Sequence, residues 1–288
     1  MTIARIGLVA LVTAAFAANI GAAKAEPAGC APASVTVEIP AQRPFLDYAE
    51  NFAFDSGGNL WVSRLQRNVV EQYDPAGTLI GAVPVDHPGA ARVGPDGLLY
   101  VVFGNTAENA LPGAPDGGVV RFDPADPAPV VFVSGLGEAN GAAFDAAGNL
   151  YVADMFAGIV RFRPDGSRDE AWSEQARHVV VNGVAVSGDA VYVTMTFSPT
   201  GQVLRIPIDD PARYSVAAEV GVAPDEVAAL PDGTLYVATQ TGRLVHADPV
   251  TGTSCAVWTG EPLAAVVAVP GTYEAVVGTS LGNVLHVR

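Results

Sequence analysis

Six copies of one short pattern run through this sequence, and a chain made of repeats must fold each copy into the same unit and bury its face against the next. The clearest copies are ENFAFDSGGNLWVS (50–63), ANGAAFDAAGNLYVAD (139–154), VNGVAVSGDAVYVT (181–194) and PDEVAALPDGTLYVAT (224–239). Each is an apolar run, a turn of Gly, Asp or Asn, and a second run with an aromatic before valine, which is the pattern of a β-hairpin. Weaker copies are GAARVGPDGLLYVV (89–102) and LAAVVAVPGTYEAVVG (263–278). The marker positions Trp61, Tyr100, Tyr151, Tyr192, Tyr236 and Ala275 are 39, 51, 41, 44 and 39 residues apart. A third strand such as GIVRFRPDG and a less regular fourth such as PVVFVSG follow each hairpin. Four antiparallel strands at this period make one blade, so the sequence predicts an all-β, six-bladed β-propeller. The chain stops at a third strand, GNVLHVR, and SVTVEIP (34–40) precedes the first hairpin. This N-terminal strand is therefore expected to supply the outer strand of the last blade and close the ring.

Before the repeats, residues 1–25 (MTIARIGLVALVTAAFAANIGAAKA) place Arg5 ahead of an apolar run and small residues around Lys24, the layout of a cleaved secretory signal peptide. Residues 26–288 then form the propeller domain, and the product is expected to be secreted or held in the periplasm or cell envelope. Loss of Arg5 and Lys24 takes the net charge from −15 to −17, which disfavours nucleic acid and anionic membrane as partners. No membrane contact beyond export and a monomeric state are expected. In an oxidising compartment the two cysteines, Cys30 and Cys255, are expected to pair and staple the chain ends.

Aligning the repeats brings Glu50, Gly89, Asn140, Asn182, Asp225 and Ala264 to one register, at the start of each hairpin's first strand. Inner strands of a propeller line its channel, so these positions converge at one end of one axis. Glu50, Asn140, Asn182 and Asp225 offer two carboxylates and two amide oxygens, a donor set for one hard divalent cation; calcium fits it, whereas zinc would call for His or Cys. Turn chemistry explains Asn-Gly and Pro-Asp singly but not their common register. The oxygen-rich segments 55–59, 145–149 and 231–233 fall at hairpin tips and read as turns, and the four histidines show no paired spacing. Loops after the markers overhang the metal, which nominates Arg64, Asn105, Asp154, Met155, Thr196, Phe197, Thr239 and Gln240 as pocket walls, with the long loop 105–117 as a wall or lid.

These residues resemble the senescence-marker-protein/gluconolactonase family, which includes regucalcin and, more distantly, diisopropylfluorophosphatase and paraoxonase. The resemblance rests on the blade repeat, on Asn140-Gly141 and Asn182-Gly183, and on the Glu, Asn, Asn, Asp order over blades 1, 3, 4 and 5. It implies a six-bladed propeller with one catalytic divalent metal, usually calcium, on Glu50, Asn140, Asn182 and Asp225, and hydrolysis of lactones or phosphotriesters. The chain departs from the pattern at Asn51 and Glu226, where glycine is common. The expected activity is hydrolysis of a small-molecule lactone or related ester, with Asp225 as general base or nucleophile and Asn140 and Asn182 orienting water and substrate. Two other readings stay open: a non-catalytic, calcium-stabilised binding propeller, and a metal-dependent lyase of the virginiamycin B lyase type.

Overall fold

The computed structural model describes residues 30–288 apart from 112, 113 and 115; the signal peptide read at residues 1–25 lies outside them. The described strands form six antiparallel sheets, one per repeat. Blades 1, 2, 4 and 5 each take four successive strands, from inner strands Ala49–Phe54, Ala91–Val93, Val181–Ser187 and Pro224–Ala229. Inner strands pack against one another in ring order, and that of blade 6 (Leu263–Ala268) packs against that of blade 1.

Blade 6 has a composite sheet. The first described strand, Val35–Ile39, is its outermost member and runs antiparallel to the last, Val284–Val287, with Val35 opposite Val287. Cys30 and Cys255 form a disulfide with their Cα atoms 5.9 Å apart. Cys255 lies on the outer strand of blade 5 (Thr253–Thr259), along which Ala33 N also donates to Val257 O at 2.8 Å. The bond thus ties the lead-in of blade 6 to the edge of blade 5, rather than joining the two chain ends directly.

Blade 3 departs from the four-strand expectation. It has three strands, Ala139–Phe144, Leu150–Asp154 and Gly158–Phe162, and a one-turn helix, Glu170–Ser173, takes the outer place. The sequence there, DEAWSEQA, carries no β-branched residue, and the Asp169 carboxylate accepts from Trp172 N at 3.3 Å as an N-cap. Trp172 is buried edge-on against Tyr151, the blade's marker, at 5.0 Å between ring centroids.

The marker aromatics owe their positions to the turns before them. Asp55 accepts from Gly57 N, Asn59 N and Trp61 Nε1, at 2.9, 3.0 and 3.0 Å. Asp145 accepts in the same way from Ala147 N, Asn149 N and the Tyr151 hydroxyl. Gly58 and Gly148 complete these turns with φ near +80°, where an L side chain is strained. The oxygen-rich tips are therefore closed on themselves, and their carboxylates anchor buried rings. Those rings fill the seams between blades: Trp61 packs edge-on against Phe122 of blade 2, and Tyr100 against Phe144 of blade 3.

Candidate active site

Five of the inner strands lose regular pairing at the register read from the sequence. Antiparallel register slips between Ala49 and Asn51, Ala139 and Ala142, Val181 and Val184, Pro224 and Val227, and Leu263 and Ala265. A bulge of this kind frees backbone from the ladder and re-aims side chains. Repeated round the ring, it turns Glu50, Asn140, Asn182 and Asp225 into one cavity of about 380 Å³. The glycines that follow two of them are required by packing. A Cβ on Gly141 would lie 2.3 Å from Asn182 O, and one on Gly183 would lie 2.5 Å from Asp225 O. Asn-Gly at these sites thus lets blades 3, 4 and 5 approach closely enough for their donors to converge.

The electrostatics of the cavity are unbalanced. Glu50 and Asp225 are 5% and 2% exposed. Their partners are carboxamides: Asn105 Nδ2 donates to Glu50 Oε1 at 2.6 Å and Gln240 Nε2 to Asp225 Oδ2 at 3.0 Å. Asn140 also hydrogen-bonds Glu50, and Asn182 hydrogen-bonds Asp225. Among the described residues no arginine or histidine forms an ion pair with either acid. Burial, and then the charge of Asp225, holds the Glu50 carboxyl well above the usual carboxylate range. Burial likewise pushes Asp225 up to about 7, with the Glu226 charge adding to it against the hydrogen bonds from Gln240 and Asn182. Tyr48 lines the same cavity, and its phenol is raised by burial and then by the charges of Glu50 and Asp225.

Two buried carboxylates held only by neutral amides form a site that a cation relieves, because its charge offsets the cost of ionising them out of water. All-oxygen donors with neither His nor Cys suit calcium by hardness, and the carboxamide oxygens add ligands without adding charge. The residues therefore fit the implied ion. A different cluster, Cys30, His246 and Cys255, brings potential ligand atoms within 4.8 Å of one another, but its sulfurs are bonded to each other and the imidazole hydrogen-bonds Thr234.

Of the eight wall residues read from the sequence, Asn105, Met155, Thr196, Phe197 and Gln240 line the cavity. Arg64, Asp154 and Thr239 do not. Each of these three stands three positions after its marker, as the last residue of its strand, whereas Met155, Thr196 and Gln240 stand four after theirs. Strand alternation turns the earlier position away from the cavity. Arg64 Nε instead pairs with Glu71 Oε2 at 2.8 Å and its Nη1 donates to the carbonyls of Asp47 and Gly282. Asp154 accepts from Gly137 N, Phe156 N and Ala157 N, and Thr239 Oγ1 accepts from Arg243 N.

Sequence reading missed Tyr48, Leu65, Gln66, His87 and Glu138 in the lining. Tyr48, His87 and Glu138 each stand two residues before a register position, Glu50, Gly89 and Asn140 respectively, so the same alternation that places the donors could have found them. Burial, followed by the charge of Asp154, raises the Glu138 carboxyl. The long loop contributes Asn105, Thr106 and Ala107 to the wall. The other three histidines pack outside the cavity.

No protein-family model matches the sequence, and no curated relative matches it. Solved structures share its fold. A gluconolactonase from Xanthomonas campestris is 17% identical, with a TM-score of 0.68 over 92% of this chain and 99% of that one. The PQQ-bound form of an aldose sugar dehydrogenase from Streptomyces coelicolor is 19% identical, with a TM-score of 0.65 over 92% and 99%. Virginiamycin B lyase from Staphylococcus aureus is 11% identical, with a TM-score of 0.58 over 87% and 82%. The architecture therefore agrees with the resemblance read from the repeats. A hydrolase, a dehydrogenase and a lyase share it, so the reaction has to be argued from the site.

Proposed function

We propose that this chain is an exported, calcium-dependent hydrolase that opens lactones or related esters in its channel mouth. The observation that carries the reading is the pair of buried carboxylates, Glu50 and Asp225, sharing one cavity with Asn140 and Asn182 and lacking any cationic partner among the described residues. Calcium held by these four would supply a Lewis acid for the substrate carbonyl. Asp225 is the proton acceptor: the cation would keep its carboxylate ionised, and Gln240 fixes its orientation. Water loses a proton to Asp225 as its oxygen bonds to the acyl carbon, and that proton then passes to the departing alkoxide oxygen, leaving a hydroxy acid. Asn105 holds Glu50 in place.

The lining contains three acids, Glu50, Glu138 and Asp225, and no arginine or lysine, while Leu65, Met155 and Phe197 give it apolar wall. That composition selects uncharged substrates with an apolar portion. The gluconolactonase among the fold's neighbours supports lactone chemistry, and the disulfide supports an oxidising destination.

The test is turnover of aliphatic and sugar lactones, an aryl ester and a phosphotriester by the mature protein, in calcium and after chelation. Hydrolysis that stops on chelation, returns with calcium and yields product one water heavier supports the reading. Product of unchanged mass would make it a lyase, and calcium-dependent melting without turnover would make it a binding propeller.

A further inference from the structure

The two positions at which the chain departs from its own donor pattern meet in the structure. After the register residue, blades 3 and 4 carry Gly141 and Gly183, whereas blades 1 and 5 carry Asn51 and Glu226, which are 1% and 2% exposed. Asn51 Nδ2 makes a short hydrogen bond to Glu226 Oε2, although blade 6 separates their blades. Arg92 of blade 2 completes the group: its Nη2 lies 3.1 Å from Glu226 Oε2 and its Nη1 donates to Asn51 Oδ1.

Backbone holds all three members in place. Glu226 Oε1 accepts from Val227 N at 2.9 Å, Asn51 Oδ1 accepts from Phe52 N at 2.9 Å, and Arg92 Nη1 also donates to Ala91 O at 2.8 Å. Gly183 leaves the room, since a Cβ there would come within 2.6 Å of Glu226 Oε1. An acid–base pair with a buried carboxylate and a half-buried guanidinium therefore lies beside the donor set, joined to it through the peptide bonds Glu50–Asn51 and Asp225–Glu226.

We propose that Glu226 and Arg92 are opposed charges that set the cation affinity of the neighbouring donors, Glu226 raising it and Arg92 holding it down, with Asn51 locking the pair in register. The proposal rests on the calcium reading above. Donor and near-donor charge tunes calcium affinity over orders of magnitude, and a unit charge in a site screened from water acts over several ångströms. A purely structural plug would behave differently: loss of either member would loosen the site and weaken binding in the same direction.

Calorimetric calcium titration of metal-stripped wild type, Glu226→Gln, Arg92→Met and the double variant separates the two. Glutamine and methionine keep length and bulk while removing charge. Glu226→Gln should bind calcium about tenfold or more weakly, Arg92→Met about tenfold or more tightly, and the double variant within about threefold of wild type. Should Arg92→Met fail to fold because it strands a buried acid, Arg92→Gln, which keeps a donor for Asn51, carries the same expectation. Single variants that shift in the same direction, or neither by more than twofold, overturn the proposal. Wild type that hydrolyses lactones without saturable calcium binding would instead remove the calcium reading and this inference with it.

Discussion

Stripping the metal should turn the donor set into a pH-dependent liability. Asp225 carries the ordinary aspartate value of 3.8 as its reference, and burial pushes it up to about 7 in the fold. The folded state thus holds this proton more tightly than the unfolded chain. Stability from the group is full below the unfolded pKa and is lost as pH rises through 7. The difference between the two states is worth about 4 kcal/mol in all, of which about 2 kcal/mol falls between pH 5.5 and 8.5. Glu50 and Glu138, also raised, act in the same sense. The carboxyls held low, such as Asp47, Asp55, Glu71, Asp145 and Asp169, are ionised in both states throughout that window. Burial of His178 lowers its pKa and opposes the trend, but only up to the unfolded value of 6.5. For a chain of this size, about 2 kcal/mol moves the melting temperature by about 6 °C. Scanning calorimetry of metal-free protein should therefore show a lower melting temperature at pH 8.5 than at pH 5.5. Asp225→Asn should shrink the difference, and excess calcium should reverse it. A metal-free melting temperature that is flat or rising over this range, with Asp225→Asn tracking wild type, would show that Asp225 does not hold its proton more tightly in the fold.

Other consequences follow from the packing. Gly183→Ala drives a Cβ to 2.5 Å from Asp225 O and 2.6 Å from Glu226 Cα, so urea unfolding should show a loss of about 1–3 kcal/mol together with weaker calcium binding; a wild-type midpoint would contradict the close approach of blades 4 and 5. Arg64→Met leaves Glu71 buried beside the partly exposed Arg67 and should cost about 3–5 kcal/mol in the same assay, with calcium affinity within about threefold of wild type. A selective loss of affinity would return Arg64 to the site. Replacing Cys30 and Cys255 by serine removes a cross-link spanning 225 residues; about 2–4 kcal/mol of stability should go while calcium affinity stays.

What the sequence disclosed was what repetition encodes. A donor register recurring in four blades of divergent sequence singled out Glu50, Asn140, Asn182 and Asp225, because a propeller converts equal position in the repeat into proximity in space. Repetition also found the N-terminal strand its partner, since the last repeat lacked an outer strand. Single-residue phase was harder. Arg64, Asp154 and Thr239 differ from the true wall positions by one residue, and in a strand one residue is a change of face; where the strand ended and the loop began did not show in composition. Blade 3's helix was hidden because its cue, Asp169 followed by helix-forming residues, competed with a period that predicted a strand. The contact of Asn51 with Glu226 lay beyond local reading altogether: 175 residues separate them, and each looked only like a departure from glycine until the ring brought them together across blade 6.

The most direct test of the account is a long-wavelength anomalous difference map from crystals of the mature protein grown in millimolar calcium. Calcium on these donors should give one strong peak in the channel mouth, about 2.3–2.6 Å from oxygens of Glu50, Asn140, Asn182 and Asp225. A peak on other residues, or no peak there at saturating calcium, would contradict it.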